Sequence, residues 1–282
     1  MRLIFHGDDF GLTSGINRGI IRSFKEGLLS SASLVVNGEA AEEAVSLAKE
    51  NPGLDLGVHL VLCDESPVLP PDQVPSIISG GSAFPPRREI VKAILIQRID
   101  YREAEAEWSA QVKKALNAGL LISHLDGHQF VHLFPGLFPV CLRVADKFQI
   151  PYVRASILDL MTLEVGLKRL SQWVLLKWWV RVYVSRLLPS HIRTIDSLGF
   201  LHSGGRMSIG AVLRAVDALG KRRPSSVVEV NLHPGIGDEY TQKKYMHWQY
   251  NWKNDLDLLL DGSLKEAMDL RGVELTSFRK EL

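Results

Sequence analysis

The sequence predicts an α/β barrel of parallel strands joined by crossover helices, and three observations carry that expectation. Apolar runs of strand length alternate with helical patterns from residue 2 onward, as repeated strand and helix units do. The chain has 282 residues, long for an ordinary domain but normal for one α/β barrel. The residues able to do chemistry stand at the ends of the apolar runs, where a parallel barrel gathers its functional groups. A single domain over 1–282 is expected.

The first strand covers 2–11, where Leu3-Ile4-Phe5 leads to two adjacent carboxylates, Asp8 and Asp9, and then Gly11. Unpaired charge is costly inside an apolar strand, so the pair marks a site at the strand tip. Strand alternation would send the two side chains to opposite faces. The competing reading is a helix N-terminus with Thr13 or Ser14 as its cap. Ile16, Gly19, Ile20 and Phe24 recur at helical spacing over 15–26, and Gly27 suits the helix end. Residues 29–37 form the second strand, 40–50 a helix stopped by Asn51-Pro52-Gly53, and 54–62 the third strand. The Pro-, Gly- and Ser-rich stretch 64–88 reads as a long loop over the third strand's end, placed to gate substrate. Residues 101–118 make a helix with Trp108, Val112 and Leu116 on one face. A strand at 120–125, a helix at 137–148 and a short strand at 151–155 follow.

From 158 to 200 the alternation breaks. Trp173, Trp178, Trp179 and Tyr183 are mixed with Arg169, Lys177, Arg181 and Arg186 around the girth of a helix, which leaves no clean apolar face. An inserted cap is expected here, with aromatic surface left for a ligand, a bilayer edge or a second copy of the chain. Residues 196–206 read as a Gly/Ser-rich turn, 209–219 as a helix and 226–232 as the last strand, ending at His233-Pro234-Gly235. Helices over 248–260 and 264–268 close the chain.

Lys and Arg total 33 against 32 Asp and Glu, a net charge of +1, so no global field draws in nucleic acid. Hydrophobic residues at 46% and charged residues at 23% are enough for a sizeable core. Cys63 and Cys141 are the 2 cysteines; far apart in apolar surroundings, they indicate neither a disulfide framework nor a thiolate metal site. The N-terminus lacks a secretory pattern, and no apolar run reaches the ~20 residues of a membrane span. The expectation is a cytoplasmic protein without a transmembrane segment, for which peripheral membrane contact and a homodimer stay open.

Three strand ends carry ligand chemistry: Asp8 and Asp9 on the first, His59 on the third, and His124, Asp126 and His128 on the next. A mixed carboxylate and imidazole set suits a divalent ion such as zinc, with a position open for water. A lone histidine is more often a hydrogen-bonded core group; here the clustering argues for a site. His124, Asp126 and His128 share strand parity, which allows a division between ligands and the groups that orient them. His132 is expected to line the substrate cleft. Glu229, Asn231 and His233 alternate onto one face of the last strand and bring another imidazole to the site, against the simpler reading of His233 in a turn before Pro234-Gly235. His6, His191, His202 and His247 read as structural or surface residues.

The ordered motifs Gly7-Asp8-Asp9-Phe10-Gly11, Val36-Asn37-Gly38, Gly57-Val58-His59-Leu60, the run from His124 to His132, and His233-Pro234-Gly235 resemble the YdjC-like carbohydrate deacetylases, which include chitooligosaccharide deacetylases. The resemblance runs from residue 3 to about 236 and is highly specific. It implies a distorted (β/α) barrel of the polysaccharide-deacetylase type that removes N-acetyl groups from amino sugars with one divalent metal ion, zinc or magnesium. Carried across by position, it implies metal ligands Asp9, His59 and His128, a general base Asp8 and a general acid His233. Asn37, His124, Asp126, His132 and Glu229 fall to substrate binding or ligand orientation. Gly7 and Gly127 stand where the family often has alanine and serine. The block from Asp196 to Met207 is similar to the hopanoid-biosynthesis-associated branch, which implies an N-acetylated glycolipid beside a soluble oligosaccharide as substrate. The same residue types also serve a metal-dependent phosphoesterase or sugar isomerase on a related barrel, or a non-catalytic sugar-binding protein.

Overall fold

The computed structural model of the chain describes residues 1–155, 171, 174–175, 178–199, 204–222 and 225–282. Its sheet is built from β1 (Arg2–Phe10), β2 (Leu29–Leu34), β3 (Asp55–Leu60), β4 (Ile122–Gly127), β5 (Tyr152–Val153), β6 (Asp196–Leu198), β7 (Val227–Leu232) and β8 (Glu274–Leu275). The order is β5-β4-β3-β2-β1-β7-β6, with β8 added to β1, and the strand pairings are parallel. The sheet curls into a half-barrel, and the segment leading into β6 bridges to the opposite edge strand, β5, at Arg193 and Tyr152. At that bridge Arg193 accepts from the Val153 N–H at 3.0 Å and donates its own N–H to the Pro151 carbonyl at 2.8 Å.

The crossover helices are α1 (Ser14–Glu26), α2 (Ala41–Glu50), α3 (Arg87–Leu95), α4 (Tyr101–Asn117), α5 (Leu137–Lys147), α6 (Ile209–Arg222), α7 (Glu239–Lys244), α8 (Trp252–Leu260) and α9 (Gly262–Asp269). Thr13 caps α1 by accepting from the Ile16 N–H, so the capping expected there and a strand-tip site at Asp8 and Asp9 coexist. Ile16 and Ile20 bury one face of α1 in the core. Gly19 lies against the loop after β7: a Cβ there would stand 2.4 Å from the Gly235 Cα. That close approach holds the His233-Pro234-Gly235 turn beside the tip of β1.

Several elements differ from expectation. The 64–88 stretch is no free lid: Val74, Ile77 and Phe84 are buried, and Glu107 on α4 accepts from the Val68 and Leu69 N–H groups at 2.8 and 2.9 Å. Helix α3 follows it, and its buried Ile90 and Ile94 supply the i, i+4 pairing. The expected turn over 196–206 begins with β6, a three-residue strand too short to show alternation. The expected helix over 248–260 starts only at Trp252, because Gln249 adopts φ 55° and Asn251 caps α8. Of the cap expected over 158–200, residues 158–170, 172–173, 176–177 and 200 lie outside the described residues. Within the described part, Trp179 and Tyr183 stack at 4.0 Å and pack on the core. Trp178 is 61% exposed. Among the described residues no helix is long and apolar enough to cross a membrane.

Candidate active site and metal centre

The barrel interior carries polar side chains in layers, from the strand middles up to the strand tips. Lowest is His6 on β1, with Nδ1 and Nε2 each 3.1 Å from a hydroxyl, Ser31 and Ser33 respectively. Its ring meets that of His124 edge-on at 4.9 Å, and His124 stacks on Phe278 at 4.0 Å. Gly57 makes the room, since a Cβ there would stand 2.3 Å from His124 Nε2.

The middle layer is organised by Arg154, which follows β5 and is 2% exposed. Its guanidinium grips Asp8 in a two-pronged pair, Nη1 to Oδ2 at 3.0 Å and Nη2 to Oδ1 at 2.8 Å. Nε donates to Glu229 at 3.0 and 3.2 Å, and Nη2 lies 2.9 Å from Asp126. Such paired geometry is what guanidinium does better than ammonium.

At the top, Asp9, His59 and His128 converge. Asp9 takes φ 71°, and the pairing of β1 with β2 is irregular between Gly7 and Phe10. This kink overrides strand alternation, so Asp8 and Asp9 turn into the same interior instead of opposite faces. Asp9 Oδ1 lies 2.9 Å from His128 Nδ1 and 3.4 Å from His59 Nε2. Asp126 Oδ1 is 2.8 Å from His59 Nδ1, which fixes that ring and leaves Nε2 to face Asp9.

This cluster fits a divalent cation. Ligand atoms of a tetrahedral ion bound at ~2.1 Å stand ~3.4 Å apart, close to the separations here. Asp9 Oδ2 is buried and has no hydrogen-bond partner among the described residues, an expensive condition for a carboxylate. Other His, Asp and Cys groupings exist among the described residues, but each includes a group that is already engaged: Asp8 by Arg154, Asp126 by His59 and Arg154, His6 by serines. Cys63 is held protonated by burial and the neighbouring Asp64.

His233, after β7, has Nε2 at 3.8 Å from Asp8 Oδ2 and Nδ1 at 4.0 Å from Asp255 Oδ2. Asp255 on α8 also accepts the His233 backbone N–H at 2.9 Å. Glu229 is spent on Arg154, so the carboxylate nearest His233 Nδ1 is Asp255, at 4.0 Å. His132 does not line a cleft. It is fully buried, its Nε2 2.8 Å from the Arg154 carbonyl oxygen, so it braces the arginine backbone. Its ring also occupies the space above Gly127, where a Cβ would stand 2.4 Å from Nδ1. Asn37 donates to the Ser66 carbonyl at 2.6 Å, joining the β2 end to the loop after β3. Asn231 is buried one pleat below His233.

The charges follow from these contacts. Burial would raise Asp8, but Arg154 and then His6 outweigh it and hold the carboxyl well below the usual range. Asp126 is likewise held low, by Arg154 and His59 against burial. Burial opposes charge on His6, yet Asp126 and Asp8, each with an oxygen 3.3 Å from Nε2, raise it to about 9. His233 is lowered by burial, and burial pushes Asp255 up to about 7. Arg154 and Asp255 were not singled out from sequence. Arg154 did carry a signal, a lone cation ending a short apolar strand.

Five of the residues with positive φ other than glycine, Asp9, Asp64, Gln129, Phe130 and Gln249, surround this site, where backbone strain tends to collect.

Residues 2–270 match the protein family described as YdjC-like protein. A carbohydrate deacetylase of Listeria welshimeri is 38% identical over 281 residues, covering 99% of both chains. One of Brevibacillus brevis is 31% identical over 282 residues, covering 99% of this chain and 98% of its own. Among solved structures, a protein of Enterococcus faecalis V583 described as a candidate cellobiose-phosphate cleavage protein superposes with a TM-score of 0.78 at 26% identity, covering 99% of this chain and 97% of the other. The matched span runs from the first strand through α9, and the chain belongs to the YdjC-like protein family.

Proposed function

We propose that the protein is a metal-dependent carbohydrate deacetylase that hydrolyses the N-acetyl group of an amino sugar. The observation that carries this reading is the convergence of Asp9, His59 and His128 around a buried, unpartnered carboxylate oxygen, one layer above an Arg-bound Asp8. Relatives named carbohydrate deacetylase along nearly the full length support it. Asp9, His59 and His128 would hold one divalent ion, zinc or magnesium. When bound, such an ion polarises a carbonyl and lowers the pKa of water toward neutrality.

The chain's own groups supply the proton transfers. Asp8, kept ionised by Arg154, accepts the proton of the attacking water as its oxygen bonds to the acetyl carbon. A carboxyl held so acidic gives that proton up readily, and His233 Nε2, 3.8 Å away, is the acceptor. His233 then protonates the amine nitrogen as the C–N bond breaks, releasing acetate and the free amino sugar. The Asp9 and Asp8 carboxylates, which oppose the effect of burial on His233, favour the imidazolium that this relay requires.

A screen of N-acetylated glycans with metal-replete protein, reading acetate and free amine together, tests the proposal. Phosphate release instead of acetate, or activity that survives complete metal removal, would overturn it. A substrate with an apolar portion is favoured by one observation: Val174, Leu175 and Trp178 are 50%, 67% and 61% exposed. An N-acetylglucosaminyl lipid should then be hydrolysed better than a soluble chitooligosaccharide, and Trp178→Ala should narrow the difference. Equal rates on the two would remove the lipid reading.

A further inference from the structure

Between α7 and α8 the chain makes a tight turn that the catalytic relay does not use. Met246–Trp248 form one short turn, Gln249 follows with φ 55°, and Tyr250 precedes the Asn251 cap of α8. The turn is held by main-chain bonds: Trp248 N–H to the Tyr245 carbonyl at 2.9 Å, Gln249 N–H to Met246 at 3.1 Å, and Asn251 N–H to Gly204 at 3.0 Å.

Its effect is to set two aromatic rings beside the site. Trp248 lies 4.9 Å from the ring of His128, and Tyr250 lies 4.9 Å from the ring of His233, with 5.7 Å between the two aromatics. The pair thus spans the distance from a proposed ligand to the proposed acid. Both rings are half-buried, with part of each left open. Behind Trp248 stacks Tyr245 at 4.1 Å and 17°; Tyr245 is buried, and its hydroxyl donates to Glu65 at 2.7 Å. The tryptophan is therefore fixed from behind, at the cost of a left-handed Gln249.

We infer that Trp248 and Tyr250 form the wall against which the pyranose ring carrying the acetamido group packs, with Trp248 the main specificity determinant. This rests on the deacetylase reading. A neutral pyranose offers no charge to grip, but one face of its ring is a patch of C–H bonds. The negative face of an aromatic ring complements that patch, and aromatic walls with few polar groups are how ligand pockets are commonly lined. The reacting acetamide must lie between the ion site and His233, so the attached ring comes to lie beside these two residues.

The test is calorimetric binding of the N-acetylglucosamine disaccharide to wild type, Trp248→Ala, Trp248→Phe and Trp248→Leu, with acetate release measured in parallel. Removing the ring should weaken binding about tenfold, the equivalent of one strong contact, with the larger part of the kinetic loss in KM rather than kcat. Trp248→Phe should recover most of the affinity. Trp248→Leu keeps apolar volume without a π face; it should bind as weakly as Trp248→Ala and replaces it if that variant misfolds. Wild-type affinity in Trp248→Ala or Trp248→Leu, or no recovery in Trp248→Phe, overturns the wall. Acetate release with binding indifferent to Trp248 would sink the wall and leave the activity standing. Ring-dependent sugar binding without acetate release would do the reverse.

Discussion

Replacing Arg154 by lysine keeps one positive charge in the middle layer and removes the fork. In the native protein that fork serves Asp8, Glu229 and Asp126 at once. A lysine has one nitrogen with three donors on a narrower tip, so it cannot engage both Asp8 oxygens and also reach Glu229 and Asp126. At least two charge-assisted hydrogen bonds are lost, each worth about 1.5–3 kcal/mol, for a destabilisation of about 3–6 kcal/mol. In a chain of this size about 2 °C of melting temperature accompanies each kcal/mol, so Arg154→Lys should melt about 6–12 °C lower.

The kinetic consequence has a definite sign. Arg154 is the chief influence lowering Asp8; loosening it raises Asp8, so the base becomes protonated at a higher pH. The acid limb of kcat/KM should therefore move upward, by part of the ~1–3 units that an adjacent arginine confers on a carboxylate. Differential scanning fluorimetry and a pH profile of acetate release measure the two effects. A variant that melts with the wild type, or whose acid limb is unmoved or moves downward, would refute the reasoning.

The remaining expectations concern the layers above and below. Asp8→Asn should retain metal and lose most turnover, whereas Asp9→Asn should lose metal as well; equal metal loss, measured by elemental analysis, would mean the roles are misassigned. His233→Ala should slow amide hydrolysis far more than hydrolysis of an activated acetate ester, because only the amine needs a strong proton donor; equal losses would make His233 an orienting residue. His6 is raised from 6.5 to about 9, so its stabilisation is complete below pH 6.5 and disappears as the pH rises through 9, about 3 kcal/mol in all. The melting temperature should fall across that window in wild type and stay flatter in His6→Gln; parallel curves would count against a protonated His6. Zinc or magnesium at ~100 times its Kd should stabilise the protein by ~2.7 kcal/mol, and the shift should vanish in His128→Ala.

The sequence exposed the site where a charged or imidazole side chain interrupted an apolar run. Asp8, Asp9, His59, His128 and His233 all stand at strand tips, and the structure brings them within one interior. Arg154 obeyed the same rule, but β5 is two residues long, and a lone arginine after so short a run looks like a surface residue. Asp255 had no such signal: on α8 it has the same sequence character as Asp257, yet one is buried and the other exposed. Helix α3 was masked by the Pro- and Gly-rich residues before it, although Ile90 and Ile94 had the spacing. The turn of Asp9 into the interior follows from a local φ of 71°, which an aspartate tolerates better than most residues but does not announce.

The interior charge explains why such an arrangement is stable only as a whole. Asp8, Asp9, Asp126 and Glu229 place four carboxylates in a volume with almost no solvent access. Against them stand the Arg154 guanidinium and, at about 9, the His6 imidazolium. With His59 and His128 neutral, as ligands must be, two negative charges remain, and Asp255, raised to about 7, adds only part of another. Uncompensated buried charge costs several kcal/mol per ion, which proteins relieve by protonation or by a bound cation. The His128, His233 and His59 imidazoles, when they carry protons, together hold the Asp9 carboxyl low against burial, and a bound cation would take over that role as the ligands lose them. With both imidazoles deprotonated, the deficit falls where Asp9 Oδ2 lacks a partner, and a divalent cation would relieve it. The layers below thus act on the site above: Arg154 and His6 neutralise enough of the interior for the sheet to close around it, and stop short of neutralising the carboxylate that faces His59 Nε2 and His128 Nδ1.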